Sequence, residues 1–285
     1  MVMMLLTLRY LALLSFAFLL SCTTIDIREA DAFAGKKTVD AEDMRQRGMP
    51  LREFYLAVND SVNLRVWHIE NPAAGATVLY FGGNGFFLAI SGDILSAIYD
   101  QGVSVLAFDY RGYGKSTGTP SVAGILEDAN AVYQYLRRDQ ALTAEQIIIH
   151  GHSMGSALAL WLANRQPVAA VVLESPLTDA EDVMGRLVPT LLKPFIRVQI
   201  DSSLLEVSNL REIERLQQPL LIIGGEKDQI TPPEMAELLY SKAPGSDKDI
   251  LLLPTGDHNN LPLLNAYRQK LSQFYSLNGP EAAGD

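Results

Sequence analysis

Between Arg52 and Tyr275, short β-branched or aromatic runs alternate with longer helical stretches, and this alternation restricts the chain more than any other feature. Strands joined through helices lie parallel, and the sheet they form is covered on both faces. Eight runs read as strands: residues 52–58, 63–69, 77–81, 103–108, 146–150, 169–173, 220–223 and 250–253. Several are continuously apolar, as strands buried on both sides must be. Asn59-Asp60 separates the first two with a turn-forming dipeptide, which predicts an antiparallel hairpin. Helical patterns are clearest over 122–138, 154–165, 233–241 and 261–275. The expected fold is α/β, a mostly parallel eight-stranded sheet with helices on both faces, in one domain over 51–276 with a short tail at 277–285.

The first 21 residues carry one charge, Arg9, and an apolar stretch from Tyr10 to Leu20 that ends in Ser21 and Cys22. That layout predicts a signal peptide over 1–21, with an uncleaved membrane anchor as the alternative because the segment approaches the ~20 apolar residues a span needs. Leu19-Leu20-Ser21-Cys22 resembles the bacterial lipobox, which implies cleavage before Cys22 and lipid on its thiol. The resemblance implies a lipid-anchored protein of the bacterial cell envelope. Thr23 follows the cysteine where Asp would be the retention signal, so the outer membrane is favoured if the host has two. Residues 22–50 are polar and broken by Gly35, Lys36-Lys37 and Gly48, and read as a tether.

The net charge of −10 and the lack of any basic run argue against nucleic acid as a partner. A single cysteine rules out an internal disulfide framework, and four histidines without ligand spacing give no metal site. No cofactor is implied.

The chemistry-bearing residues sit where strands end. Gly151-His152-Ser153-Met154-Gly155 fits Gly-x-Ser-x-Gly between the strand Ile147-Ile148-Ile149 and a helix. Such a strand–turn–helix places its serine on a sharp elbow, and the glycines relieve Cβ clashes. A serine hydroxyl needs a base, and the base needs an orienting acid. Asp228, after the strand 220–223, and His258, after the strand 250–253, follow Ser153 in the order acid then histidine, just beyond carboxyl ends of strands where ligands bind. Glu226 and Asp257 are rival acids. His68 and His150 fall within strands and read as structural, and the His152 side chain should diverge from Ser153. The backbone N–H of Met154 and that of Gly83, in Gly82-Gly83-Asn84-Gly85, are the candidate oxyanion donors, with Asn84 the second choice in that loop.

With these residues stand Asp109-Tyr110-Arg111-Gly112-Tyr113-Gly114-Lys115-Ser116, Glu174-Ser175-Pro176, Thr231-Pro232-Pro233 and His258-Asn259. Over about residues 51–275 the chain resembles the α/β-hydrolases of the serine-aminopeptidase-like and Bem46-like group. The resemblance implies the α/β-hydrolase fold with a small cap segment, and a structural role for the turn holding Arg111. Phe81 stands where that group usually has histidine. Acyl transfer to water from an ester or thioester is the expected reaction, with Ser153, His258 and Asp228 as its machinery. A peptidase acting on short peptides and a lipid-tethered non-catalytic binding protein are the alternatives. The interval 177–208 leaves room for only a small cap, in which Leu187, Val188, Leu191, Leu192, Phe195 and Ile196 either pack on the core or line an acyl pocket. An open site that prefers short or surface-displayed acyl groups is the expectation.

Overall fold

A computed structural model of the protein describes residues 23–33, 48–88, 91–186 and 188–280. The expected signal peptide and Cys22 lie outside the described residues, as do Leu187 and the last five residues. In chain order the strands are β1 (Thr23–Ile27), β2 (Leu51–Ala57), β3 (Asn63–Ile69), β4 (Thr77–Phe81), β5 (Ser104–Phe108), β6 (Ile147–His152), β7 (Ala170–Glu174), β8 (Ile196–Ile200), β9 (Leu220–Gly225) and β10 (Lys248–Leu253). The α-helices are α1 (Glu29–Ala32), α2 (Gly92–Tyr99), α3 (Val122–Arg138), α4 (Gly155–Ala163), α5 (Ala180–Arg186), α6 (Asn209–Ile213), α7 (Pro233–Lys242) and α8 (Asn265–Asn278).

Eight strands form one sheet in the order β10-β9-β7-β6-β4-β5-β3-β2. Only β3 runs against its neighbours, pairing antiparallel with both β2 and β5; the remaining pairs are parallel. The expected eight strands and the hairpin at Asn59-Asp60 are therefore present. Alternate residues of a strand face opposite sides, and β4 divides accordingly. Leu79 and Phe81 join the core shared with α3, α4, α6 and α7, whereas Val78 and Tyr80 join the core under α2 and α8. Each apolar side chain buried this way contributes roughly 1.5–3 kcal/mol.

The helices are set by local signals. In α3, Ile125, Ala129, Val132 and Leu136 recur at helical spacing and are buried. The Ser121 hydroxyl caps its start by accepting from the Gly124 N–H at 3.1 Å, and Arg137 and Arg138 in its last turn complement the helix dipole. The turn after β5 is pinned to the same helix. Arg111 donates from Nε to Asp128 Oδ2 at 2.9 Å and from Nη2 to Oδ1 at 2.6 Å, with the Asp128 carboxylate wholly buried. Arg111 thus has the structural role expected of it.

The segment expected to be a tether is in part structured. β1 pairs in parallel with β8 of the cap, Thr23 opposite Ile196 and Ile27 opposite Ile200, and α1 follows it. One face of this ribbon carries Ile25, Ile27, Ile196, Val198 and Ile200, the other Thr24, Asp26, Arg197 and Gln199. A five-residue strand whose partner lies far along the chain leaves no local periodicity to read. The cap itself comprises α5, a 3₁₀ turn over Thr190–Leu192, β8 and a 3₁₀ turn over Ser202–Leu205. Val188 is buried and Ile196 half-buried, but Leu191, Leu192 and Phe195 are 88%, 45% and 38% exposed. These three neither pack on the core nor line the cavity, contrary to both expectations for them.

Candidate active site

Ser153 sits between β6 and α4 with φ 53°, a left-handed conformation that a side chain rarely adopts. The backbone around it explains how that strain is held. A Cβ on Gly155 would meet the Phe81 carbonyl oxygen at 2.1 Å, and one on Gly151 would meet the Gly155 carbonyl oxygen at 2.4 Å. Only glycine at both positions lets the helix begin this close to β4. The Ser153 N–H donates to the Glu174 carbonyl at 2.9 Å, and the Ser156 hydroxyl donates back to the Ser153 carbonyl at 2.6 Å.

Ser153, His258 and Asp228 are brought into one hydrogen-bonded chain. His258 Nδ1 lies 2.8 Å from Asp228 Oδ2, and His258 Nε2 lies 3.0 Å from Ser153 Oγ. A carboxylate only accepts, so Nδ1 carries the proton and Nε2 is left as the acceptor that faces the serine hydroxyl. Asp228 is itself fixed from three sides. Its Oδ1 accepts from the N–H groups of Ile230 and Thr231, both at 2.9 Å, and the Thr231 hydroxyl lies 2.9 Å from Oδ2. Burial acts to raise the Asp228 carboxyl, but hydrogen bonds from His258 and the Thr231 N–H outweigh it and hold the group below its ordinary value.

The rival acids lie elsewhere. Glu226 is exposed, and Asp257, also exposed, accepts from the N–H groups of Asn259 and Asn260 within its own loop. Thr231 was not singled out as part of the site. The signal was available, because an aspartate whose oxygen accepts from the N–H groups two and three residues on is an ordinary local turn.

The other histidines divide as expected from their strands, with one addition. His68 in β3 is bonded to Arg52 at 3.1 Å, and burial pushes it down to about 4. His150 is wholly buried, with Nε2 3.0 Å from Glu174 Oε2 and Nδ1 3.1 Å from the Tyr275 hydroxyl. His152 diverges from Ser153 and donates from Nε2 to the backbone carbonyl of His258 at 2.9 Å. Burial lowers its basicity, so it acts as a neutral strut under the His258 loop. Glu174, behind it, would be raised by burial, yet hydrogen bonds from His150 and Tyr267 keep it lowered.

Gly83 packs against the serine: a Cβ there would stand 3.2 Å from Ser153 Cβ and 3.1 Å from His152 Nδ1. Met154 precedes the first turn of α4, where backbone N–H groups have no intrahelical acceptor. The Asn84 side chain donates to the Ala32 carbonyl at 2.7 Å and accepts from the Tyr113 hydroxyl at 2.7 Å, at the cavity wall. Above these residues opens a cavity of about 660 Å³ with mostly apolar walls. The cap contributes Leu177, Ala180, Val183, Met184, Leu204 and Val207, and the N-terminal segment contributes Ala32 and Phe33. The segment expected to be a tether thus forms part of the cavity wall.

A depressed carboxyl favours the folded state while it stays ionised. For Asp228 this contribution is complete above the ordinary carboxylate value of 3.8 and is lost as pH falls through its lower folded value. The stability gap between the protein and Asp228→Asn, from urea unfolding, is therefore expected to be constant near neutrality and to narrow below pH 3.8. A gap that widened on acidification would contradict this.

Comparison with known proteins agrees with the architecture. Residues 73–206 match the family described as "Serine aminopeptidase, S33". Protein bem46 of Schizosaccharomyces pombe is 31% identical over 246 residues, 82% of this chain and 79% of that one. An uncharacterized membrane protein of Saccharomyces cerevisiae is 31% identical over 250 residues, 85% of each chain. Among solved structures, a Pyrococcus furiosus esterase superposes with a TM-score of 0.70 at 18% identity, covering 87% of this chain and 98% of that one. The shared fold and this extent of sequence identity make the chain a member of the α/β-hydrolase family, in its serine-aminopeptidase-like, Bem46-like group.

Proposed function

We propose that the protein is a serine hydrolase that cleaves ester or thioester acyl bonds through a covalent acyl-enzyme. The observation that carries this reading is the chain Ser153–His258–Asp228 at the floor of an apolar cavity, with donor distances of 3.0 and 2.8 Å. Ser153 Oγ attacks the acyl carbonyl carbon while its proton passes to His258 Nε2, and Asp228 stabilises the imidazolium so formed. The N–H groups of Gly83 and Met154 hold the tetrahedral oxyanion, a contribution of roughly 3–4 kcal/mol per donor. Collapse expels the leaving group, which takes the proton from Nε2. Water then attacks the acyl-serine with His258 again accepting a proton, which it returns to Ser153 Oγ as the acid leaves.

The apolar walls favour an acyl chain over the charged amino terminus of a short peptide, which supports esterase over peptidase chemistry. The acyl chain is proposed to be of medium length, since the cavity exceeds what an acetyl group fills. Membrane attachment through lipid on Cys22 is proposed alongside, on the strength of the lipobox-like Leu19-Leu20-Ser21-Cys22; among the described residues no helix is long and apolar enough to cross a membrane.

Fluorophosphonate labelling tests the chemistry. The protein should label, Ser153→Ala should not, and turnover should fall at least ~10³-fold in Ser153→Ala and in His258→Ala with folding intact. Undiminished labelling or turnover in Ser153→Ala would reject the assignment. In a series of p-nitrophenyl esters kcat/KM should rise from acetate to octanoate; a steady fall along the series would restore the short-chain expectation. Intact mass of the membrane-extracted protein should show a chain starting at an acylated Cys22, and an unmodified cysteine would remove the lipid.

A further inference from the structure

We propose that the tip of the cap, residues 189–195 with the start of β1, is a bilayer-docking surface that sets the cap against the membrane. The inference rests on the membrane attachment proposed above, but not on the chemistry of Ser153.

Leu191, Leu192 and Phe195 expose large apolar side chains from one turn, and Ile25 on the adjoining strand is 42% exposed. Isolated exposed apolar residues need no explanation, but a cluster does. This cluster lies where the chain enters the fold. The Thr23 N–H donates to the Phe195 carbonyl at 2.9 Å, and Thr23 is paired in register with Ile196. The residue before Thr23 is Cys22, preceded by an apolar stretch whose sole charge is Arg9. One residue spans at most ~3.6 Å. Whether the chain is held by lipid on Cys22 or by the uncleaved segment, the bilayer therefore begins beside Phe195.

The chemistry of the turn suits the interface. Lys193 is exposed within the same turn, in a protein whose net charge is −10, whereas Arg197 lies on the other face of the ribbon with Asp26. Cations beside apolar anchors are what anionic headgroups attract. Entry into lipid also requires that backbone donors be satisfied. Here three of the five N–H groups of the turn are met, those of Leu192 and Lys193 by the Pro189 carbonyl and that of Phe195 by the Leu192 carbonyl, while Pro189 and Pro194 have none to offer. A second copy of the chain is the weaker occupant, since a stable dimer buries at least ~1,200 Å² and one turn supplies far less. The docked cap is the element that also lines the cavity through Val183, Met184, Leu204 and Val207.

Photocrosslinking decides it. Full-length protein carrying Leu191→p-benzoylphenylalanine is compared with Leu277→p-benzoylphenylalanine in vesicles of phosphatidylethanolamine and phosphatidylglycerol. Both positions are exposed, at 88% and 74%, so neither change disturbs the core. Leu277 lies near the end of α8, beyond which Gly279 packs against Ala76 at the amino ends of the strands, whereas the cap follows their carboxyl ends. After flotation and irradiation, lipid adducts should form at position 191 about tenfold or more over position 277. Floated protein with adducts at neither position, with equal adducts at both, or with a protein–protein adduct at 191 would overturn the docking. Failure to float would overturn the attachment on which it rests. None of these readouts depends on turnover.

Discussion

The contact on which the site depends is that of α4 with the end of β4, where a Cβ on Gly155 would stand 2.1 Å from the Phe81 carbonyl oxygen. Because both flanking glycines lack a Cβ, β6 can turn into α4 within a few residues, and the cost of that turn is concentrated at Ser153, at φ 53°. Residues held in this way cost of order 1–3 kcal/mol and persist only when their surroundings over-determine them. Here the surroundings include the bonds from Ser153 N–H to β7 and from Ser156 to the Ser153 carbonyl. Asn209 adds a third tie, donating to the Ser156 hydroxyl at 2.8 Å. The helix that returns the chain from the cap is thus coupled to the elbow.

Around this elbow the charges are arranged in layers. Asp228 accepts three kinds of donor and stays ionised beside His258, while Glu174 does the same beneath, held by His150 and Tyr267. His152 lies between the two, neutral, fixing the backbone of the His258 loop. Buried carboxylates are tolerable only when hydrogen bonds replace water, and each has them. The cavity above is by contrast mostly apolar, with Asp93 and Ser91 among its few polar lining residues.

Much of this was legible in the chain. The strands showed as apolar runs, and Ser153, Asp228 and His258 stood at strand ends in an interpretable order, because each signal is local. What escaped was non-local. β1 is defined by pairing with β8, whose partner residues lie some 170 positions away, and nothing near Thr23 reveals it. For the same reason the roles of Ala32 and Phe33 in the cavity wall and of His152 as a strut could not be read, since each depends on a neighbour distant in sequence. The exposed cap tip was misassigned because an apolar cluster in sequence usually means a buried one.

The covalent intermediate is the central claim, and its position can be measured. Acid quenching during turnover of p-nitrophenyl octanoate, followed by peptide mapping, should find the octanoyl group on the peptide that contains Ser153 and localise it to that side chain. An acyl group mapped to any other residue would contradict the account.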